Sequence, residues 1–280
     1  MILVNNQKVE VQHFPDGTQL LKQNFYLRDT SANHITWRYE NDGELLTLIY
    51  ITKHLKGLHP DMLFVLNLFY VPNARFDRIK DNSEVFTLKY FCDIINSLEF
   101  YRVYVLDPHS NVTPALIKNV WVMSPMDFIL DAVRRIGLGN DDYLYFPDEG
   151  AYKRYGDLFP GKKNVLIGHK VRDWETGQIK GLRITTPEGY EPDASQGSGH
   201  SVIMIDDIIS YGGTLAYSAD KLKEFGFEHV YAYATHTENS VLDPERGTLL
   251  KRIENGTVDC IYTTDSLYTG QHEKVIVLNA

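Results

Sequence analysis

Val202–Gly226 reads VIMIDDIISYGGTLAYSADKLKEFG. An apolar run is followed by two adjacent carboxylates, a glycine pair and a threonine, and then by a stretch with helical spacing. The apolar run has the length of a buried strand, and a helix is expected from about Thr214 to Phe225. Between them, the backbone N–H groups of Ser210 to Thr214 fall in a glycine-permitted turn at a helix N-terminus. Unpaired N–H groups and the helix dipole favour a phosphate there. Gly212 and Gly213 allow close approach. Asp206 and Asp207 would lie beside that anion, suited to hydrogen-bonding a polyol or to holding a divalent cation through water. A plain strand-to-helix turn with an aspartate pair at the sheet edge would present the same string, so this stretch alone leaves both readings open.

Working outward, apolar runs alternate with amphipathic stretches along most of the chain, which argues for an α/β fold. Helices are expected at about 44–56 and 85–98, strands at 62–70 and 102–106. The pattern restarts where Pro125 opens a helix through Ile136. Strands follow at YLYF (143–146), at NVLIGHKVRD (164–173), at SVIMI (201–205) ending in Asp206 and Asp207, at HVYAYATH (229–236) and at EKVIVLNA (273–280). Two domains are expected, 1–122 and 123–280, each with a mainly parallel sheet flanked by helices. The polar residues fit for chemistry come just after these strands: His109, Asp148, Lys170, Asp206 and Asp207. Ligands of open parallel sheets bind beyond the carboxyl ends of the strands, so such positions can converge on a crevice.

A chain of 280 residues can bury a substantial core without metal or disulfide staples. Its two cysteines, Cys92 and Cys260, are far apart with no His or Cys at metal-ligand spacing, and a reducing, cytoplasmic setting fits them. MILVNNQKVEVQHF at the start is expected to be neither a signal peptide nor a membrane span. The net charge of -9 disfavours nonspecific binding to nucleic acid or to an anionic membrane. Small anionic substrates need only a local basic cluster.

The DD…GGT string resembles the PRPP-binding motif shared by type I phosphoribosyltransferases and ribose-phosphate pyrophosphokinases. The rest of the chain favours the second group. FPDG (14–17), NARFDR (73–78), LDPHS (106–110), PDEG (147–150), HVYAYATH and VDCIYTTDSL resemble that family's landmarks in the right order. The resemblance covers nearly the whole chain, with an N-terminal part about one βα unit shorter than is usual. It implies type I phosphoribosyltransferase-like domains and transfer of a diphosphoryl group from ATP to a sugar hydroxyl. Such a reaction needs in-line positioning, a divalent metal and fixed positive charge.

The resemblance assigns one Mg2+ to His109 and Asp148. It places Arg75 and its neighbours Phe76 and Arg78 at the ATP phosphates or base, and Asp77 near the ribose. Phe14 and Asp16 resemble residues that reach ATP across a subunit interface, which implies a homo-oligomer. Lys170 and Arg172 match the spacing of a mobile catalytic loop, where the two cations stabilise charge on the transferring phosphates. Read without the family, the same segments are a charged loop, a Pro-Asp-Gly turn and an exposed hairpin. Asp206, Asp207, Ser210, Tyr211, Gly212, Gly213 and Thr214 would hold the ribose phosphate.

Three departures stand out. Where the family has Asp and Thr ahead of the glycines, this chain has Ser210 and Tyr211, and a phenol places its O–H several ångströms farther out than a small hydroxyl. Ser210 also removes a negative charge that would repel further phosphate. Both changes suit an acceptor whose 5-phosphate is substituted, with an aromatic face for a base to stack on. The expected acceptor is ADP-ribose or a similar nucleotidyl ribose, with ribose 5-phosphate as the alternative. Thr18 in place of Glu and Phe76 in place of Gln affect the ATP side. A phosphoribosyltransferase would not need ARFDR, DPHS and the Lys170/Arg172 loop together. A non-catalytic regulatory homologue would not need the full set of charged groups.

Overall fold

The structure is a computed structural model that describes residues 1–29, 31–172, 179–193 and 195–280, with the side chains of residues 171, 172, 179 and 180 outside that description. The chain divides into two compact units, Met1–Ser124 and Pro125–Ala280.

The first unit opens with β1 (Ile2–Val4) and β2 (Gln7–Lys8), then a separate hairpin of β3 (Val11–His13) and β4 (Gln19–Leu21). It continues with β5 (Asn33–Trp37), α1 (Gly43–Leu58), β6 (Phe64–Leu68), α2 (Thr87–Ser97), β7 (Arg102–Leu106), α3 (Val112–Leu116) and β8 (Val120–Met123). The main sheet has the order β2-β1-β5-β6-β7-β8. β5 to β8 are parallel, and β1 pairs antiparallel with β5. Strand side chains alternate between faces. Ile35, Trp37, Leu66, Val103 and Val105 therefore share one face and pack with Leu48, Ile51 and Leu55 of α1 and with Leu88, Phe91 and Ile95 of α2. The neighbouring register positions His34, Thr36 and Asn67 are linked by hydrogen bonds on the other face.

The second unit contains α4 (Met126–Ile136), β9 (Tyr143–Phe146), α5 (Glu149–Tyr155), β10 (Val165–Arg172), β11 (Ile179–Thr185), β12 (Ser201–Ile209), α6 (Gly213–Glu224), β13 (His229–Thr237), α7 (Thr248–Glu254), β14 (Cys260–Thr264) and β15 (Val275–Leu278). The seven strands run in the order β11-β10-β9-β12-β13-β14-β15, all parallel except β11. Val202 and Met204 face a core shared with α6 and α7. Ile203 and Ile205 face the opposite core, shared with α4 and α5. Burial on both faces explains why SVIMI is continuously apolar rather than alternating. Among the described residues no helix is long and apolar enough to cross a membrane.

Candidate active site

In the second unit the strand order turns back between β9 and β12. From β9 the chain passes through α5 to β10 on one side, and it returns through β11 to β12 on the other. Loops leaving the two strands therefore diverge, and a crevice opens between them at the carboxyl edge of the sheet. Met204 of β12 lies level with Tyr145 of β9. Asp207 and Asp148 each lie three residues farther along their own chain segments.

Asp148 is the N-cap of α5, with extended backbone, and its Oδ1 accepts from the Ala151 N–H at 3.0 Å. Asp, Asn and Ser are preferred at that position because a side-chain oxygen satisfies an orphan N–H of the first turn. The other carboxylate oxygen, Oδ2, is 3.4 Å from Lys170 Nζ. Lys170, expected after the VLI run within the strand 164–173, lies inside β10, opposite Leu182, because the antiparallel partner β11 extends the ladder beyond the apolar run. Gly168 lets this strand approach: a Cβ there would sit 2.2 Å from the Tyr145 hydroxyl oxygen and 2.8 Å from the Pro147 carbonyl oxygen. Arg172 ends β10, and its side chain lies outside the described residues, as do residues 173–178 of the expected catalytic loop.

The aspartate pair also departs from expectation. β12 does not end at Ile205 but continues to Ile209, because its pairing with β13 runs on through Ile208 and Ile209. Consecutive strand residues face opposite ways. Asp207 is buried and meets Arg154 of α5, with Oδ2 3.1 Å from Nη1. Its N–H donates to Asp206 Oδ1 at 2.9 Å. Burial pushes the Asp206 carboxyl well above the usual carboxylate range, reinforced by the Asp207 charge and, less strongly, by Asp148.

The turn after β12 is fixed from two sides. Gly212 caps α6 in a left-handed conformation, φ 79°, and a Cβ on it would stand 2.3 Å from Leu249 Cβ. The Tyr211 carbonyl accepts from the Thr248 N–H and Oγ1–H at 2.9 Å and from the Leu249 N–H at 3.3 Å. The start of α7 is thereby tied to the loop. Tyr211 does not offer both ring faces to a base: the Arg246 guanidinium lies 4.3 Å from the ring centroid. Ser210 precedes this turn, Gly213 starts α6, and the Thr214 carbonyl accepts from Ser218 Oγ at 3.0 Å.

In the first unit, Arg75, Phe76, Asp77 and Arg78 follow β6, and His109 follows β7, so both groups leave the carboxyl ends of adjacent parallel strands. Asn73, at φ 64°, turns the chain, and the Phe76 N–H donates to its carbonyl at 2.9 Å. Arg78 Nε is 3.8 Å from Asp77 Oδ1. Phe14 and Asp16 sit in the turn of the β3–β4 hairpin. The backbone and hydroxyl of Thr18 donate to Asp16 Oδ1 at 2.9 and 2.7 Å and hold that carboxyl below its usual range. Thr18, a departure from the family's pattern, is thus the residue that closes this turn. His109 and Asp148 belong to different units.

Two residues of the arrangement were not anticipated. Arg154, in the last turn of α5, carried no motif; Arg246 is 35 positions from Tyr211, too far for any local spacing to reveal. Among the described residues no three His, Cys, Asp or Glu side chains form a metal-ligand cluster.

No family model matches the chain. Among proteins of known sequence, it is 27% identical over 233 residues to the ribose-phosphate pyrophosphokinase of Saccharolobus solfataricus, covering 82% of this chain and 76% of that one. It is 26% identical over 276 residues to ribose-phosphate pyrophosphokinase 1 of Streptococcus mutans, covering 93% and 77%. The crystal structure of the phosphoribosylpyrophosphate synthetase from Mycobacterium smegmatis superposes with a TM-score of 0.75 at 18% identity, over 97% of this chain and 86% of the other. The α/β architecture is therefore that of a phosphoribosylpyrophosphate synthetase, and along most of its length the chain is similar in sequence to ribose-phosphate pyrophosphokinases, which are diphosphotransferases.

Proposed function

We propose that this chain transfers the β,γ-diphosphoryl group of ATP to the anomeric hydroxyl of a 5-phosphorylated ribose and releases AMP. The observation that carries this reading is the switch point of the second unit. One sheet edge there holds a glycine-bearing loop at a helix start, an aspartate pair and the Asp148–Lys170 pair. The loop from Ser210 to Thr214 takes the 5-phosphate, and Asp206 and Asp207 bind the ribose hydroxyls, with Arg154 holding Asp207 in place. Lys170, together with Arg172, stabilises negative charge on the transferring phosphates. ATP is assigned to the first unit, to Arg75, Phe76, Asp77, Arg78 and His109, with Phe14 and Asp16 serving a neighbouring copy in a homo-oligomer.

The donor set fits magnesium of a particular kind. Asp148 has one oxygen engaged as a helix cap and the other near Lys170, so the site offers carboxylates to a hydrated ion rather than a closed cage. Mg2+ commonly keeps several waters and binds through one or two carboxylates plus substrate phosphates. When bound, it would neutralise charge on the nucleotide phosphates. Asp148 would hold it; the family resemblance also assigns His109 a magnesium-binding role. The free thiols Cys92 and Cys260 suit a reducing cytoplasm.

For the acceptor, the names of the relatives favour ribose 5-phosphate. Tyr211 favours a substituted 5-phosphate, as in ADP-ribose, whose activated product would feed the rebuilding of NAD. AMP release from ATP and magnesium, followed by chromatography with each acceptor alone, tests both. No AMP with either acceptor would refute the transfer. A preference for ribose 5-phosphate of about tenfold or more in kcat/KM, about 1.4 kcal/mol, would refute the ADP-ribose reading.

A further inference from the structure

We propose that Arg246 is a specificity-determining residue: stacked on Tyr211, it reads a second phosphate of the acceptor, beyond the one cradled by the loop from Ser210 to Thr214. The inference rests on the acceptor site assigned above and names a residue that neither the motifs nor the relatives single out.

Arg246 is presented by a built turn. Asp243 Oδ1 accepts from the Glu245 and Arg246 N–H groups at 2.9 and 2.8 Å, and the Gly247 N–H donates to the Asp243 carbonyl at 2.7 Å. The next two residues, Thr248 and Leu249, hold the Tyr211 carbonyl. The two side chains that meet at 4.3 Å are thus carried on backbone segments fixed to each other. Other cations of the unit are held by closer carboxylates: Arg154 by Asp207 at 3.1 Å, Arg252 by Asp220 at 2.6 Å, Lys170 by Asp148 at 3.4 Å. The Arg246 guanidinium is held only by a longer ion pair, Nε 3.8 Å from Asp243 Oδ2, and makes no side-chain hydrogen bond among the described residues. Its side chain is 65% exposed. A guanidinium set over an aromatic ring can still turn edge donors to phosphate oxygens, which it can grip in pairs. A terminal phosphate monoester is already served by the loop's N–H groups, so the cation beside that loop has work only if the acceptor carries more phosphate.

The test is calorimetric titration of the full chain, wild type, Arg246→Gln and Arg246→Lys, with ADP-ribose and separately with ribose 5-phosphate. Charge-assisted hydrogen bonds are strong enough that Arg246→Gln is expected to weaken ADP-ribose about tenfold or more. Ribose 5-phosphate should change less than about twofold, and Arg246→Lys should fall between, keeping the charge but losing the stacked fork. Equal weakening of both ligands, no weakening of either, or no binding of ADP-ribose by the wild type would overturn the proposal. Arg246-dependent binding of ADP-ribose without AMP release would leave it standing while sinking the transfer reaction. Melting curves of the three proteins, expected to coincide, guard against a folding defect.

Discussion

Two adjacent glycines should behave in opposite ways. Gly212 has a left-handed backbone, φ 79°, and a Cβ added to it would lie 2.3 Å from Leu249 Cβ and 3.2 Å from its Cδ2. Gly213 has helical backbone, and its added Cβ would meet only Thr248 Oγ1 at 3.7 Å, an ordinary contact. Gly212→Ala combines a left-handed conformation, which costs an L-residue about 1–2 kcal/mol, with overpacking against α7, which costs about 1–3 kcal/mol. The sum is a loss of about 2–5 kcal/mol. For a unit of this size it lowers the melting temperature by roughly 5–15 °C. Gly213→Ala should leave stability unchanged or raise it by up to about 1 kcal/mol, since alanine is the better helix former. Activity should separate from stability at Gly213, where a methyl group would stand in the way of a phosphate approaching the backbone. Differential scanning calorimetry of both variants, followed by AMP release at a temperature where both are folded, provides the assay. Equal stability of the two variants, or a Gly212→Ala loss below about 0.5 kcal/mol, would refute the packing argument. Full activity in Gly213→Ala would refute the assignment of the loop to phosphate.

Other perturbations follow from the charged groups. Arg154→Met leaves Asp207 buried without this cation; discounting for the 26% exposure of Arg154, the loss is about 2–4 kcal/mol in urea unfolding. Adding Asp207→Asn should recover a good part of it, and strict additivity would contradict the coupling. Lys170→Ala should lower kcat by about 10²–10³ with a small effect on stability, and Lys170→Arg should retain part of the rate; a loss confined to KM would argue that Lys170 only binds. Asp206 carries a raised folded pKa, so the folded chain holds that proton more tightly than the unfolded one, and stability is lost as pH rises from the ordinary value of 3.8 toward the folded value. Asp206→Asn should therefore match or trail the wild type below pH 3.8 and gain on it above, most at neutral pH. A constant difference across that range, read from urea midpoints, would contradict the shift.

Much of this molecule was legible in one dimension. The helix from Pro125 to Ile136, the strands YLYF and HVYAYATH and the helix after Gly213 match the expected ranges closely, because apolar period and flanking turn residues are local properties of the chain. Elements without a strong period went unseen: α3 has five residues, α7 has seven, and β1 to β4 have two or three each, so packing rather than propensity defines them. The position of strand ends was also hidden. Asp206 and Asp207 read as a stop after an apolar run, yet the ladder with β13 carries the strand two residues past them. That extension turns one aspartate toward Arg154 and the other to the opposite face of the strand. Residue types and their order determined the fold class, the resemblance to ribose-phosphate pyrophosphokinases and the candidate groups for chemistry. Only the tertiary structure decided who partners whom: Asp207 with Arg154, Lys170 with Asp148, Tyr211 with Arg246. Those pairs join residues 22 to 53 positions apart, and strand order and packing, which no local pattern encodes, bring them together.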